Sequence, residues 1–159
     1  MKLWAKILIC IVVINGLGAA GAFLTMGSLK DWYEGLVRPP GVPPGAVFGP
    51  VWSVLYTLIG ISLALVWHRV PAGQAKQLAL TSFFIQMVLN IAWTPVFFGL
   101  HWLGVALAVI ATLWVWIFVT ILRFKPLDRT AAMLLVPYLI WVSYATYLNA
   151  GYFWLNRAG

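Results

Sequence analysis

Long uncharged apolar runs alternate along the chain with short clusters that hold nearly every charge. The runs are Ile7–Leu29, Pro39–His68, Gln77–Leu122 and Thr130–Asn156. A helix that crosses a bilayer needs roughly 20 apolar residues at about 1.5 Å each. The third run is long enough for two such helices, divided near Gly99-Leu100-His101-Trp102. The pattern therefore predicts an all-α membrane protein, one domain over residues 1–159. Its helices fall at about 5–26, 47–67, 78–98, 103–122 and 131–155.

Between the first two helices lies a different kind of segment, Trp32 to Tyr56. Pro39, Pro40, Pro43 and Pro44 remove backbone donors and fix φ, so the chain up to Gly45 reads as a stiff, non-helical loop covering the bundle. Pro50 is read as part of the first turn of helix 2, where proline is tolerated, and Trp52, Tyr56 and Gly60 follow at i, i+4 and i+8. On helix 3, Gln86, Asn90, Trp93 and Phe97 share one face. Amides in hydrocarbon are costly when unpaired, so this face is expected to look into the bundle, beside a kink at Pro95. Helix 5 repeats the arrangement with Tyr138, Trp141, Ala145, Asn149, Tyr152 and Asn156, where Ala145 leaves a slot between larger rings. Helix 1 carries small-xxx-small pairs, Gly16/Ala20 and Gly18/Ala22, and helix 4 carries Gly104/Ala108. Packing within the monomer is preferred to a dimer seam for these pairs. Asn15 needs a polar partner on another helix or a water.

Composition agrees with the pattern: 64% of residues are hydrophobic and 8% charged, against about 25% charged in soluble domains. Lys2, Lys6, Arg69, Lys76, Arg123, Lys125 and Arg129 fall on one side, while Lys30, Arg38 and Arg157 fall on the other. The positive-inside rule then places the amino terminus in the cytoplasm, if the host is a bacterial inner membrane, with the proline loop facing outward. The net charge of +7 is split between both faces without a basic stripe, which points to anionic lipid headgroups rather than nucleic acid. Ile7–Leu29 outlasts an ordinary signal-peptide core, so it is read as a span. Cys10 stands alone, which offers neither a disulfide framework nor a metal pair.

Five of the ten tryptophans, Trp4, Trp32, Trp67, Trp102 and Trp154, fall at expected helix ends, where an interfacial belt explains them. Trp114 and Trp116 are assigned to lipid or packing. Trp52, Trp93 and Trp141 share faces with amides or tyrosines, and for these a ligand role stands level with core packing. The carboxylates Asp31, Glu34 and Asp128 all lie in loops, which argues against a proton or ion pump. His68 and His101 lack a second metal ligand at suitable spacing, no serine has a nearby base, and no phosphate loop precedes a helix. An interior of indole, phenol and amide under a stiff loop suits a large, flat, mostly apolar ligand such as a tetrapyrrole or a sterol.

Four motifs then carry a resemblance. They are Trp32-Tyr33-x-x-Leu36-x-x-Pro39 with Pro43-Pro44, Gly49-Pro50-x-Trp52-x-x-Leu55-Tyr56, Asn90-x-x-Trp93-x-Pro95-x-Phe97-Phe98-Gly99, and Pro137-Tyr138-x-x-Trp141-x-x-x-Ala145-x-x-Leu148-Asn149. Together they resemble the TspO/MBR family of tryptophan-rich sensory proteins and mitochondrial translocator proteins. The resemblance implies a five-helix fold, commonly a homodimer, whose pocket binds porphyrin or haem and, in some members, sterol or drugs. No further cofactor is required. Carried over by motif, the pocket residues are Tyr33, Trp52, Gln86, Asn90, Trp93, Trp141 and Ala145. The resemblance also implies an alternative in which the protein degrades bound porphyrin in light and oxygen, with Trp52 and Trp141 as the catalytic pair. A third implied role, sterol or lipid carriage, would use a motif formed by Leu148, Tyr152 and Arg157. A snorkelling arginine in an aromatic belt gives the same letters.

Overall fold

The computed structural model describes residues 1–157, and the side chains of all of these except 24 and 26–31. The Lys30 and Asp31 side chains, expected on the loop side, thus lie outside the described residues. The described chain is all helical: α1 Leu3–Asp31, α2 Gly45–Arg69, α3 Gln74–Thr94, α4 Leu103–Phe124, α5 Arg129–Leu134 and α6 Val136–Asn156. A single 3-10 turn, Tyr33–Gly35, interrupts the loop after α1, and a π turn, Pro95–Gly99, extends α3. Five segments are long and apolar enough to span a membrane, with α5 and α6 forming the last of them.

The five expected helices are present; α1 runs to Asp31 rather than 26 and α3 starts at Gln74 rather than 78, and the internal breaks trace to proline and to capping. The fifth is broken at Leu135, because Pro137 has no N–H for the Met133 carbonyl and the Leu135 N–H turns to Ala132 instead. Asp128 starts α5 by accepting from the Ala131 N–H at 2.9 Å. α2 begins at Gly45, two residues before the expected start, so Pro50 lies in its second turn rather than its first. Pro95 produces the expected disturbance of α3 as a π turn, closed by Leu100 N–H to the Pro95 carbonyl at 2.9 Å. His101 then takes a positive φ of 60° to reverse the chain into α4.

Around the bundle, α1 packs on α2 and α3, α4 packs on α3 and α6, and α5 packs on α2 and α4. The α1–α2 seam depends on glycine. A Cβ at Gly60 would sit 2.9 Å from the Ile11 backbone, and one at Gly18 would sit 2.1 Å from the Tyr56 ring. Gly104 likewise faces Phe153 of α6, with a Cβ reaching 3.0 Å. Helix-to-helix packing within the monomer therefore accounts for Gly18, Gly60 and Gly104, whereas Gly16 and Ala20 remain on the outer face of α1. Asn15 reaches Thr57 of α2 at 3.4 Å and the Ile11 carbonyl at 3.0 Å.

Candidate functional site

The inward faces of α2, α3 and α6 meet in a chain of phenols and amides. The Tyr56 hydroxyl donates to Asn90 Oδ1 at 2.9 Å, and Asn90 Nδ2 donates to the Tyr138 oxygen at 2.9 Å. Asn90 and Tyr138 are buried, at 4% and 0% exposure. Trp52 completes this level: its ring stacks on Tyr56 at 5.2 Å and meets the edge of Tyr138 at 6.3 Å. Each bond satisfies a polar group that hydrocarbon would leave orphaned, so three helices are tied at one point.

One turn before Asn90 lies Gln86, 1% exposed, whose Oε1 and Nε2 both lack a protein partner. Trp141, one turn after Tyr138, also has a buried indole Nε1 without one. Its ring lies edge-on to Phe48 of α2 at 6.0 Å and 5.7 Å from Tyr144. Ala145, one turn further along α6, packs against the main core. These unpaired donors and acceptors stand on either side of the satisfied Tyr56–Asn90–Tyr138 chain.

Nearer the loop, Trp93 Nε1 donates to Asn149 Oδ1 at 3.0 Å, and Asn149 Nδ2 donates to the Leu103 carbonyl at 3.0 Å. Tyr33 descends from the loop onto Phe97, Phe98 and Tyr152, and the Tyr152 hydroxyl donates to the Tyr33 oxygen at 2.8 Å. Burial, helped by that bond, pushes the Tyr33 phenol well above the ordinary range. Trp32 stacks on His101 at 4.1 Å, joining the loop to the α3–α4 reversal.

The loop is fastened to α6 by residues that sequence reasoning missed. Tyr144 donates to the Gly41 carbonyl and Tyr147 donates to the Pro40 carbonyl, the latter at 3.0 Å. Asn156, read from sequence as part of the inward face, makes a reciprocal pair with the Val37 backbone at 2.9 and 3.0 Å. Pro39 seats directly over Gly151, where a Cβ would come within 2.5 Å of its ring. The one signal available was a pair of tyrosines on the outer half of the last helix, which needs a backbone partner to be interpretable.

Of the motif assigned to sterol, Leu148 and Tyr152 are buried, at 5% and 2% exposure, and the Arg157 guanidinium lies 3.9 Å over the Trp154 ring. Of the residues named for the pocket, Trp52 and Asn90 meet at Tyr138, Gln86 lies one turn before Asn90, Trp141 and Ala145 lie one and two turns beyond Tyr138 on α6, and Tyr33 and Trp93 form the upper cluster around Phe97. Trp114 donates to the Ser143 hydroxyl at 2.7 Å, which pairs α4 with α6.

Such a bundle, with five apolar spans, a buried network of phenols and amides and a loop fastened over one end, defines a multi-pass α-helical membrane protein. The sequence profile of the TspO/MBR family matches residues 9–155, and the chain belongs to that family. It is 40% identical to a tryptophan-rich sensory protein of Cereibacter sphaeroides over 136 residues, 84% of each chain. The tryptophan-rich protein TspO of Chlorobaculum tepidum is 36% identical over 148 residues, 93% of this chain and 94% of its own. Human translocator protein is 36% identical over 130 residues, covering 81% of this chain and 77% of its own.

Proposed function

We propose that this protein is a membrane receptor or carrier that takes a tetrapyrrole such as protoporphyrin or haem between α2, α3 and α6, which would part to admit it. The observation that carries this reading is the group of buried polar atoms without protein partners, Gln86 Oε1 and Nε2 and the Trp141 Nε1. Such atoms are retained where a ligand completes them, since each otherwise costs about 1–3 kcal/mol. Ring faces from Trp52, Tyr138 and Trp141 supply the flat apolar contact a macrocycle requires. Recognition would rest on these faces, because His68 and His101 lie exposed at helix ends, away from the interior. The straps from Tyr144, Tyr147 and Asn156 suit a loop that must be released for entry and refastened afterwards. Gly16 and Ala20, left uncovered on α1, are consistent with a homodimer.

A second reading, light- and oxygen-dependent breakdown of the bound porphyrin, is favoured by one contact pattern. Trp52 touches both phenols of the polar chain, so an indole oxidised by an excited ligand would have aromatic neighbours within 6.3 Å. The test for both is a Soret-band titration of detergent-purified protein with protoporphyrin, in darkness and under illumination, beside Trp141→Phe. The receptor reading predicts saturable binding in darkness, about tenfold weaker in the variant for the loss of one buried hydrogen bond, and a spectrum unchanged by light. A new absorbing product that Trp141→Phe fails to form would move the assignment to the enzyme, and an unsaturable titration would remove tetrapyrroles from consideration.

A further inference from the structure

At the end of the bundle opposite the loop, we propose a binding site for the phosphate headgroup of an anionic phospholipid, distinct from the tetrapyrrole site and independent of it. The charge distribution raises the question. Seven of the ten Lys and Arg residues belong to this end, against one carboxylate, Asp128. Three contacts tie some of them to neighbouring elements at this end: Arg69 at the end of α2 pairs with Asp128 before α5 at 3.1 Å, Arg123 of α4 donates to the Leu78 carbonyl of α3 at 2.9 Å, and the Lys6 ammonium lies 4.6 Å over the Trp67 ring.

At this end lies a depression of about 360 Å³ between the α2–α3 turn and the α4–α5 turn, lined by Arg69, Val70, Pro71, Lys76, Pro126 and Leu127 among others. Its depth along the molecule is informative. Four spans end at it, at Arg69, Gln74, Phe124 and Arg129, which is the level where a bilayer gives way to headgroups. Its chemistry is divided in the same way as a phospholipid's. Val70, Pro71, Pro126 and Leu127 offer an apolar wall for the glycerol and first methylenes, and Arg69 and Lys76 line the same depression.

The positive-inside rule accounts for the number of cations but not for their organisation. Asp128 offers little negative surface, because its side chain is 7% exposed and is occupied by Arg69 and the Ala131 N–H. Arg69 is 49% exposed and spends one nitrogen on that pair, so its remaining donors are available to an oxyanion. Lys76 is turned inward, donating to the Trp67 and Val70 carbonyls at 3.0 and 2.7 Å, which fixes the turn that forms one wall. Lys125 and Arg129, both exposed, stand either side of Pro126–Asp128 in the sequence, and their side chains have no hydrogen-bond partner among the described residues. An open depression with a half-free guanidinium in its lining and two unengaged cations beside it in sequence, at headgroup depth, fits a phosphodiester whose tail continues along the helices.

The test compares two pairs of charge removals. Lys125→Gln/Arg129→Gln removes the two cations next in sequence to the Pro126–Asp128 turn without touching the Arg69–Asp128 pair. Arg38→Gln/Arg157→Gln removes the same charge from exposed positions at the opposite end of the bundle. Each detergent-purified protein is titrated with phosphatidylglycerol, with phosphatidylcholine and with inorganic phosphate, and bound lipid is counted by native mass spectrometry. Each near-surface cation contributes about 1 kcal/mol to anionic lipid binding, so the first pair is expected to weaken retained phosphatidylglycerol about thirtyfold. The control pair, at the far end of the bundle and beyond a Debye length from the depression, is expected to weaken it no more than about threefold. Equal losses in the two pairs, or equal retention of phosphatidylcholine, would overturn the site. Saturation by inorganic phosphate that displaces the lipid would overturn its assignment to a phospholipid.

Discussion

Asn90 is the residue on which the interior depends, because its amide serves two helices at once. It accepts from Tyr56 of α2 and donates to Tyr138 of α6, so its replacement strands two phenols in an apolar surrounding. Asn90→Leu is expected to lower stability by about 2–4 kcal/mol, counting about 1–2 for each orphaned hydroxyl. Thermal unfolding in detergent would check this, and the companion variant Asn90→Leu/Tyr56→Phe should recover part of the loss, since one of the stranded groups is then gone. Sequence made Asn90 visible through its spacing from Gln86, Trp93 and Phe97 on one helical face. Its partners were not visible, because Tyr56 and Tyr138 lie 34 and 48 residues away and periodicity carries no information between helices. For the same reason Asn156 was grouped with the inward side chains, although its amide fastens the loop.

At the scale of elements, proline and glycine decide where helices bend and how closely they approach. Pro95 converts the end of α3 into a π turn, and Pro137 separates α5 from α6, so both spans that carry amides toward the site are interrupted near it. The need for such breaks was legible from sequence, whereas their form was not, since the choice between a kink and a π turn depends on neighbouring carbonyls. The glycines of the first two helices show the same division. Their spacing marked a close approach, and only the packed seam distinguishes Gly60, against the Ile11 backbone, from Gly16, which meets nothing within 4 Å. Gly60→Ala is expected to destabilise the protein by about 1–3 kcal/mol, as overpacking against backbone does. Gly16→Ala should be neutral or slightly stabilising, by less than about 1 kcal/mol. Chemical or thermal unfolding of the two variants side by side would decide it, and equal effects would contradict the α1–α2 seam described above.

The whole molecule has two differently built ends joined by an aromatic interior. One end is a proline loop strapped to α6 by Tyr144, Tyr147 and Asn156, and the other is basic, with its turns tied by Arg69–Asp128 and Lys76. The presence of five spans was readable from charge spacing, because the bilayer imposes their length, while their ends differ by up to five residues. The straps were not, since they join side chains to backbone carbonyls that any residue would supply. The central claim concerns what occupies the interior, and the most direct measurement is a structure of the protein loaded with protoporphyrin. The account predicts the macrocycle between α2, α3 and α6, against Trp52 and Trp141, with Gln86 and the Trp141 N–H within hydrogen-bond distance of it or of a water it holds. A macrocycle seated instead in the outer groove formed by Thr81, Phe84, Ile85, Val88 and Leu89, with Gln86 and Trp141 still unpaired, would contradict it.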